Sequence, residues 1–328
     1  MNDVASLAGV SRGSVSNYIN GKKIKLDTQE KIKEAIAALN YIPNATARSL
    51  KTSKSNFVVF ILPTVNSPFF SALSYHMQQE LQRYGYKMIL CNSNNRSEEE
   101  IEYIQMANTQ KVAGLITMSY AEVSNLIATD IPLVSIEKRV SDKVPLVIAD
   151  NYAGGQLAAH TLSQSGAKHL LFVSKNPVKN ISTIREKSFF DYCNTHGMIA
   201  DRFIARDIPN FVDDFQEFIL AHIQDHQFDY DGIFSDSDEY ASDFYNILIR
   251  EGIKIPNQVQ IIGFDGARVY ARQKINLSSI KQPTDKIAEK AVEKLLLQFN
   301  GDNKNISLDD QTFLPVSFEQ GMTTRVIF

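Results

Sequence analysis

Arg12 and Asn17 stand five residues apart in a segment, residues 11–19, whose apolar Val15 and Ile19 fall four apart and so share the opposite face of a helix. Gly13 and Ser14 share the polar side. An arginine can read guanine and an asparagine adenine by paired hydrogen bonds in a major groove, although either can meet a phosphate instead. Just beyond, Lys22, Lys23 and Lys25 carry ammonium groups suited to phosphate oxygens. No catalytic pattern competes with this. The six histidines (His76, His160, His169, His196, His222, His226) are scattered. His222 and His226 have the i, i+4 spacing of two metal ligands on one helix but lack a third, so a solvated helical pair is expected and no metal. There is no phosphate loop with its lysine, and Gly154-Gly155 falls at a helix start rather than in a dinucleotide fingerprint. Neither a cofactor nor an enzymatic activity is expected.

Three short helical patterns must hold that polar face. Asp3 is expected to cap the first, whose apolar side carries Val4, Leu7 and Ala8, and Gly9 to end it. Ser11 is expected to cap the second. Asp27-Thr28-Gln29-Glu30 reads as a capping box for the third, with Ile32, Ile36 and Leu39 at turn spacing. Helix, short turn, helix is the geometry that lays a second helix in a major groove. After Tyr41-Ile42-Pro43, Asn44 can cap a helix ending at Leu50 that is too short to be stable alone, and residues 51–56 read as a polar linker. Charge agrees: residues 1–56 hold nine Lys/Arg against four Asp/Glu, net +5, leaving twenty-five against thirty-three, net −8, in the rest. A basic head on an acidic body is expected where the head alone meets DNA. The plainer alternative is a small helical cap with a solvated basic face.

The rest of the 328-residue chain alternates strand-like and helix-like segments. The apolar run Phe57-Val58-Val59-Phe60-Ile61-Leu62, broken by Pro63, suits a parallel strand covered on both faces. Helices are expected over 69–84, 97–109 (with Ser97-Glu98-Glu99-Glu100 as a capping box), 152–163, 184–196, 212–224, 237–250 and 284–299. Strands are expected over 86–90, 112–116, 133–136, 169–173, 232–234, 259–265, 277–280 and 313–318. Such repeats predict an α/β body of two similar halves with doubly wound parallel sheets and a ligand cleft outside the carboxyl ends of the strands. The two cysteines, Cys91 and Cys193, lie in separate segments without metal-ligand spacing, and the chain opens without a basic-then-apolar leader. Both features point to a cytoplasmic protein, and no run of eighteen apolar residues suggests a membrane span.

Residues 1–50 resemble the LacI family of bacterial transcriptional repressors. The resemblance rests on the joint spacing of Asp3-Val4-Ala5, Leu7-Ala8-Gly9-Val10-Ser11, Val15-Ser16, Asn20-Gly21, Tyr41-Ile42-Pro43-Asn44 and Ala47-Arg48-Ser49-Leu50, and it extends more loosely over the body. It implies a homodimer with a small all-α helix-turn-helix head over 1–43 and a hinge helix and linker over 44–56. The core would be two-lobed and periplasmic-binding-protein-like, with a first lobe over 57–153 and 282–312 and a second over 154–281 and 313–328. By the same resemblance Ser11, Arg12, Gly13, Ser14, Ser16, Asn17 and Asn20 meet double-stranded operator DNA. Arg12, Gly13 and Asn17 take the base-reading places, although the family's common arginine at the last of these is Asn17 here and Gly13 offers no side chain. Asn44, Ala47, Arg48, Leu50 and Lys51 add contacts from the hinge. There Leu50 enters the minor groove as an apolar wedge and Ala47 packs between paired hinges, while the plainer role for Leu50 is to pack the linker.

In the body the resemblance puts Asn66, Phe69, Asp150, Arg185, Asp238 and Asp265 around a small-molecule effector, a carbohydrate or phosphosugar. Arg185 falls on the family's pocket arginine in an Arg-x-x-Gly-Phe pattern whose glycine is Ser188 here, and Asp265 ends a Gly263-Phe264-Asp265 segment. Each has a plainer alternative: a core ring for Phe69, a surface ion pair for Arg185, helix or turn caps for Asp238 and Asp265. The function implied is a sequence-specific DNA-binding repressor whose operator affinity that effector sets. Two others stay open: a regulator controlled by a phosphocarrier protein through a degenerate pocket, and a non-regulatory sugar-binding protein.

Overall fold

The computed structural model describes residues 1–41, 55–118, 131–175, 181–270, 272, 274, 276–299 and 310–326. The chain divides into two compact units, Met1–Ser55 and Asn56–Phe328.

In the first unit, α1 (Asn2–Leu7), α2 (Arg12–Ile19) and α3 (Leu26–Ala38) enclose Val4, Ala5, Ala8, Val15, Ile32 and Ala35. Gly9 (φ 63°) and Gly21 (φ 68°) adopt the left-handed conformation that ends α1 and α2. Ser11 caps α2 as expected, its Oγ accepting from Ser14 N at 3.1 Å. Other expectations fail. α1 starts at Asn2 behind Met1, so Asp3 lies in its first turn. α3 starts at Leu26, so Asp27 pairs with Lys31 at 2.8 Å instead of capping. Leu7 and Leu39 point outward at 57% and 43% exposure, and the alanines Ala5 and Ala35 are buried instead. Helices this short bury only narrow stripes, and small side chains let their backbones approach.

The second unit runs through β1 (Phe57–Leu62), α4 (Pro68–Arg83), β2 (Lys87–Asn92), α5 (Ser97–Thr109), β3 (Gly114–Thr117), β4 (Leu133–Ile136) and β5 (Leu146–Ala149). It continues through α6 (Asn151–Gln164), β6 (His169–Lys175), α7 (Ile181–Thr195), β7 (Ile199–Ala205), α8 (Phe211–Ala221), β8 (Ile223–Gln224), β9 (Gln227–Phe228), β10 (Gly232–Ser235) and α9 (Asp238–Arg250). It ends with β11 (Gln260–Asp265), β12 (Ser278–Lys281), α10 (Thr284–Phe299), β13 (Gln311–Leu314) and β14 (Ser317–Glu319). One sheet has the order β13-β5-β4-β3-β1-β2, wholly parallel; the other has β14-β12-β11-β10-β6-β7, parallel but for its edge strand β14. Strands β3, β4 and β5 are buried throughout, as covering helices on both faces require. Phe60, Leu73, Met77 and Leu295 fill the space between the first sheet and its helices; Phe172, Phe189, Phe234 and Phe264 do so in the second.

Several expectations are corrected here. The single strand expected over 313–318 is two strands in different sheets, broken at Pro315, which has no N–H for a ladder. Phe313 and Leu314 therefore complete the first sheet, not the second. β5 and β7 have no counterpart among the expected strands: β5 is only four residues long, and β7 carries Asp201 and Arg202, tolerable because it lies at a sheet edge. Ser97 is the first residue of α5 and caps nothing. α8 stops at Ala221, so His226 lies in the β8–β9 turn with φ 60° and does not share a helix face with His222. No helix among the described residues is long and apolar enough to cross a membrane.

Candidate effector cleft and DNA-contact face

In both sheets the strand order reverses beside the first strand of the set, between β1 and β3 and between β6 and β10. Open α/β sheets bind ligands beyond the carboxyl ends of their strands at this reversal. A cleft of about 910 Å³ lies there, lined by Asn66 and Phe69 after β1, Lys175 at the end of β6, Asp236 and Asp238 after β10, and Asp265 at the end of β11.

Arg185, on α7, reaches the same cleft although only 7% of it is exposed. Its Nε donates to Asn151 Oδ1 and its Nη1 to Asp236 O, both at 2.7 Å, and its guanidinium lies 3.5 Å from the centre of the Phe264 ring. A surface ion pair is thereby ruled out; the planar fork is held on three sides. The Asn151 amide is fixed in turn, because its Nδ2 donates to Glu137 Oε2 at 2.8 Å and to Ala149 O at 3.0 Å. Glu137 follows β4 in the left-handed conformation (φ 63°), and its Oε1 accepts from Ala149 N at 2.8 Å. Burial pushes this carboxyl up, opposed by the Arg185 charge and by the Ala149 and Asn151 donors. Each oxygen accepts one N–H hydrogen bond, and these bonds favour the ionised form against the burial. A buried chain Glu137–Asn151–Arg185 thus joins the end of a first-sheet strand to the cleft of the second. The close approach it needs is provided at Gly155, where an added Cβ would strike Ser188 Oγ and the Arg185 carbonyl. Ser188 occupies the expected glycine place, fully buried, with its Oγ donating to Arg185 O at 3.1 Å.

Asp265 sits at φ 126°, a backbone conformation that side-chain-bearing residues rarely adopt and that marks functional sites. Its Oδ1 accepts from Gln282 Nε2 at 2.8 Å. Burial pushes its carboxyl up to about 7; Arg185 and Gln282 oppose the rise, and Asp236 and Glu137 add to it. Asp238 Oδ1 accepts from Ser279 Oγ at 2.6 Å and Oδ2 from Gly266 N at 2.9 Å, so it ties the start of α9 to the loop after β11. Burial, then the Asp265 charge, raises it well above the usual carboxylate range. Its capping alternative fails, since Ser237 caps α9 through Tyr240 N at 3.3 Å. Phe69 is both core and lining: 4% exposed, edge-on to Phe70 and open to the cleft on one side. Asn66 is exposed at the cleft wall. Asp150 is not brought to the cleft; it caps α6, with Oδ1 accepting from Ala153 N at 2.9 Å, and its neighbour Asn151 makes the contact with Arg185.

Sequence reasoning passed over Glu137, Asn151, Asp236 and Gln282. A signal existed for two of them: Glu137 and Asp236 are acids at or just past the ends of otherwise buried strands. Gln282 carries no such mark.

On the head, Ser11, Arg12, Gly13, Asn17 and Asn20 are exposed and Ser14 and Ser16 half-buried. At 100° per residue, positions 12, 13, 16, 17 and 20 of α2 fall within an arc of about 140°, opposite buried Val15. Ser11 and Ser14 share a hydroxyl–hydroxyl bond of 3.0 Å, and Asn20 Nδ2 donates to Ser16 O at 2.7 Å, so these are partly engaged within the helix. Arg12 and Asn17 make no side-chain hydrogen bond among the described residues. Asn44, Ala47, Arg48, Leu50 and Lys51, and the hinge helix expected there, lie outside the described residues.

Both ends of the chain match known proteins. Residues 1–44 match the bacterial regulatory proteins of the lacI family, and residues 55–304 match the periplasmic binding proteins and sugar binding domain of the LacI family. The sucrose operon repressor of Pediococcus pentosaceus is 29% identical over 326 residues, 98% of each chain. The ribose operon repressor of Lactococcus lactis subsp. lactis is 33% identical over 291 residues, 85% of this chain and 84% of its own. A periplasmic binding protein/LacI transcriptional regulator of Alkaliphilus metalliredigens, solved with D-xylulofuranose, superposes with a TM-score of 0.73 at 25% identity, covering 83% of this chain and all of its own. With a helix-turn-helix head matched at one end and a sugar-binding core over three-quarters of its length, this chain belongs to the LacI family of bacterial regulatory proteins.

Proposed function

We propose that the protein is a transcriptional repressor, not an enzyme, whose hold on operator DNA is set by a carbohydrate bound in the cleft. The observation that carries this reading is Arg185, buried and held on three sides with its guanidinium at a cleft whose other polar groups, Asp265 foremost, suit sugar hydroxyls. Phe69 offers an aromatic face to a sugar ring, and Asn66 and Asp238 add polar groups to the wall. The sucrose and ribose operon repressors among its relatives support a sugar, and the neighbour bound to D-xylulofuranose supports the cleft as its place.

On the DNA side, Arg12 and Asn17 read bases, Gly13 gives close approach, and Ser11, Ser14, Ser16, Asn20 and the lysines after α2 position the helix on the backbone. The hinge residues Asn44, Ala47, Arg48, Leu50 and Lys51 complete the contact in a cytoplasmic homodimer on a two-fold operator. Ligand binding shifts the core between states of different operator affinity, which needs a difference in affinity for those states and no more.

The test is operator selection from random DNA, followed by fluorescence anisotropy on the selected site with and without a panel of sugars. One sugar should change operator affinity at least tenfold. Operator affinity indifferent to every sugar would overturn the reading, and so would failure to select any sequence.

A further inference from the structure

The charge around the cleft narrows the ligand. Among the described lining residues six are carboxylates (Asp236, Asp238, Glu239, Asp243, Asp265 and Glu319) against four cations. Three of those cations are already committed. Arg185 bonds to neutral acceptors on Asn151 and Asp236, and its charge is offset by the buried Glu137 and Asp265 carboxyls, on which it acts. Lys175 Nζ lies 3.0 Å from Asp207 and 5.1 Å from the centre of the Phe211 ring. Arg268 Nη2 lies 2.7 Å from Glu319 Oε1. The fourth, Lys274, is exposed, where water and salt screen its charge.

Helix starts are the other usual place for a phosphate, and among the described lining residues three open a helix: Pro68, Phe211 and Asp238. None of the three favours an anion. α8 carries Asp213 and Asp214 in its first turn, and its Phe211 and Asp213 amides are taken by Ile208 O and Asn210 O. α4 opens with Pro68, which has no N–H, while Phe70 N bonds to Ser67 Oγ at 3.3 Å and Ser71 N to Ser67 O at 3.0 Å. α9 carries Asp238 and Glu239 in its first turn, and its Tyr240 and Ala241 amides are taken by Ser237 Oγ and Ser237 O. What the wall still offers is acceptor capacity. Gln282, only 3% exposed, spends its Nε2 on Asp265, and its buried Oε1 has no hydrogen-bond partner among the described residues. An unmet buried acceptor calls for a donor, and a hydroxyl supplies one without adding charge.

We propose that the cleft takes an uncharged, unphosphorylated carbohydrate and rejects the phosphate ester of the same sugar. The inference rests on the carbohydrate reading above and narrows it. A phosphate dianion beside several carboxylates meets repulsion that a hydroxyl does not, and among the described residues no buried cation of unopposed charge and no helix start clear of acids or bonded amides offsets it.

Titration calorimetry on the full chain at pH 8 tests this with matched pairs: D-ribose and D-ribose 5-phosphate, D-fructose and D-fructose 6-phosphate, sucrose and sucrose 6-phosphate. One unphosphorylated sugar should bind, with its ester weaker by about 100-fold or more. Asp265→Asn should shrink that ratio at least about tenfold, because it removes a repelling charge while weakening the neutral sugar. An ester that binds as tightly as its parent sugar, or more tightly, overturns the inference and leaves the carbohydrate reading standing. An unchanged ratio in Asp265→Asn overturns the charge argument. If no member of any pair binds, both the inference and the carbohydrate reading fall.

Discussion

Head and core use the same two residue types in opposite surroundings. Arg12 and Asn17 stand in solvent on α2, whereas Arg185 and Asn151 are 7% and 2% exposed and bonded to each other. In water a guanidinium or amide gains little from the protein and waits for a partner. In the core the same groups are costly to leave unmatched, and Glu137, Asn151 and Arg185 are drawn into one fixed arrangement. The head keeps its recognition chemistry free of its fold, while the core has made the two interdependent.

The sharpest break of this contrast is Asn151→Ala. It leaves the Glu137 carboxylate and the Arg185 guanidinium buried without their shared amide, and should cost about 3 to 5 kcal/mol of core stability by urea unfolding. Asn17→Ala, the same change in the open, should leave the unfolding midpoint within about 0.5 kcal/mol. If the two cost alike, the contrast is false.

Acidity should follow next. The Asp265 carboxyl stands near pH 4 unfolded and at about 7 folded, so between those values the folded chain holds more protons. This group's contribution is present at low pH and is lost as pH rises through 7. Core unfolding midpoints measured from pH 5 to pH 8 should therefore decline in the wild type and flatten in Asp265→Asn; an equal slope in both would reject it.

On DNA, Asn17→Ala should relax discrimination at one base pair by about 1 to 3 kcal/mol, whereas Lys23→Ala should weaken specific and random DNA alike and reduce the salt slope. Equal losses on both DNAs for Asn17→Ala would move that residue from base to phosphate. Smallest, Ser11→Ala removes the cap of α2 and should cost the head about 1 kcal/mol, read from its own melting transition.

How much of this could be read from the sequence divides along the same line. The head was legible because its signals are local: the Val15 and Ile19 spacing, the Ser11 cap and the glycines at positions 9 and 21 all act within a turn or two. Its errors, Asp3 and Asp27 as caps and Leu7 and Leu39 as core, came where a helix boundary one residue away changes every role. The long apolar strands and amphipathic helices of the body were equally plain, and Arg185 and Asp265 were found through resemblance. Asn151 was missed in favour of Asp150 because a carboxylate before a helix fits two roles, cap and ligand, and only the fold decides between them. Glu137 and Gln282 were missed because their partners lie 12 to 17 residues away on other elements, at Ala149, Asn151 and Asp265.

One feature of the first sheet bears on how the chain is made. Its outer strand, Gln311–Leu314, comes from near the end of the chain to pair with Leu146–Ala149. During synthesis, therefore, Leu146–Ala149 leaves the ribosome with a bare edge of N–H and C=O groups that only residues made some 160 positions later can cover. The lobe whose first strand is translated early is thus the one that finishes late. Nascent chains halted short of residue 311 would carry that edge uncovered, open to pairing with a neighbour.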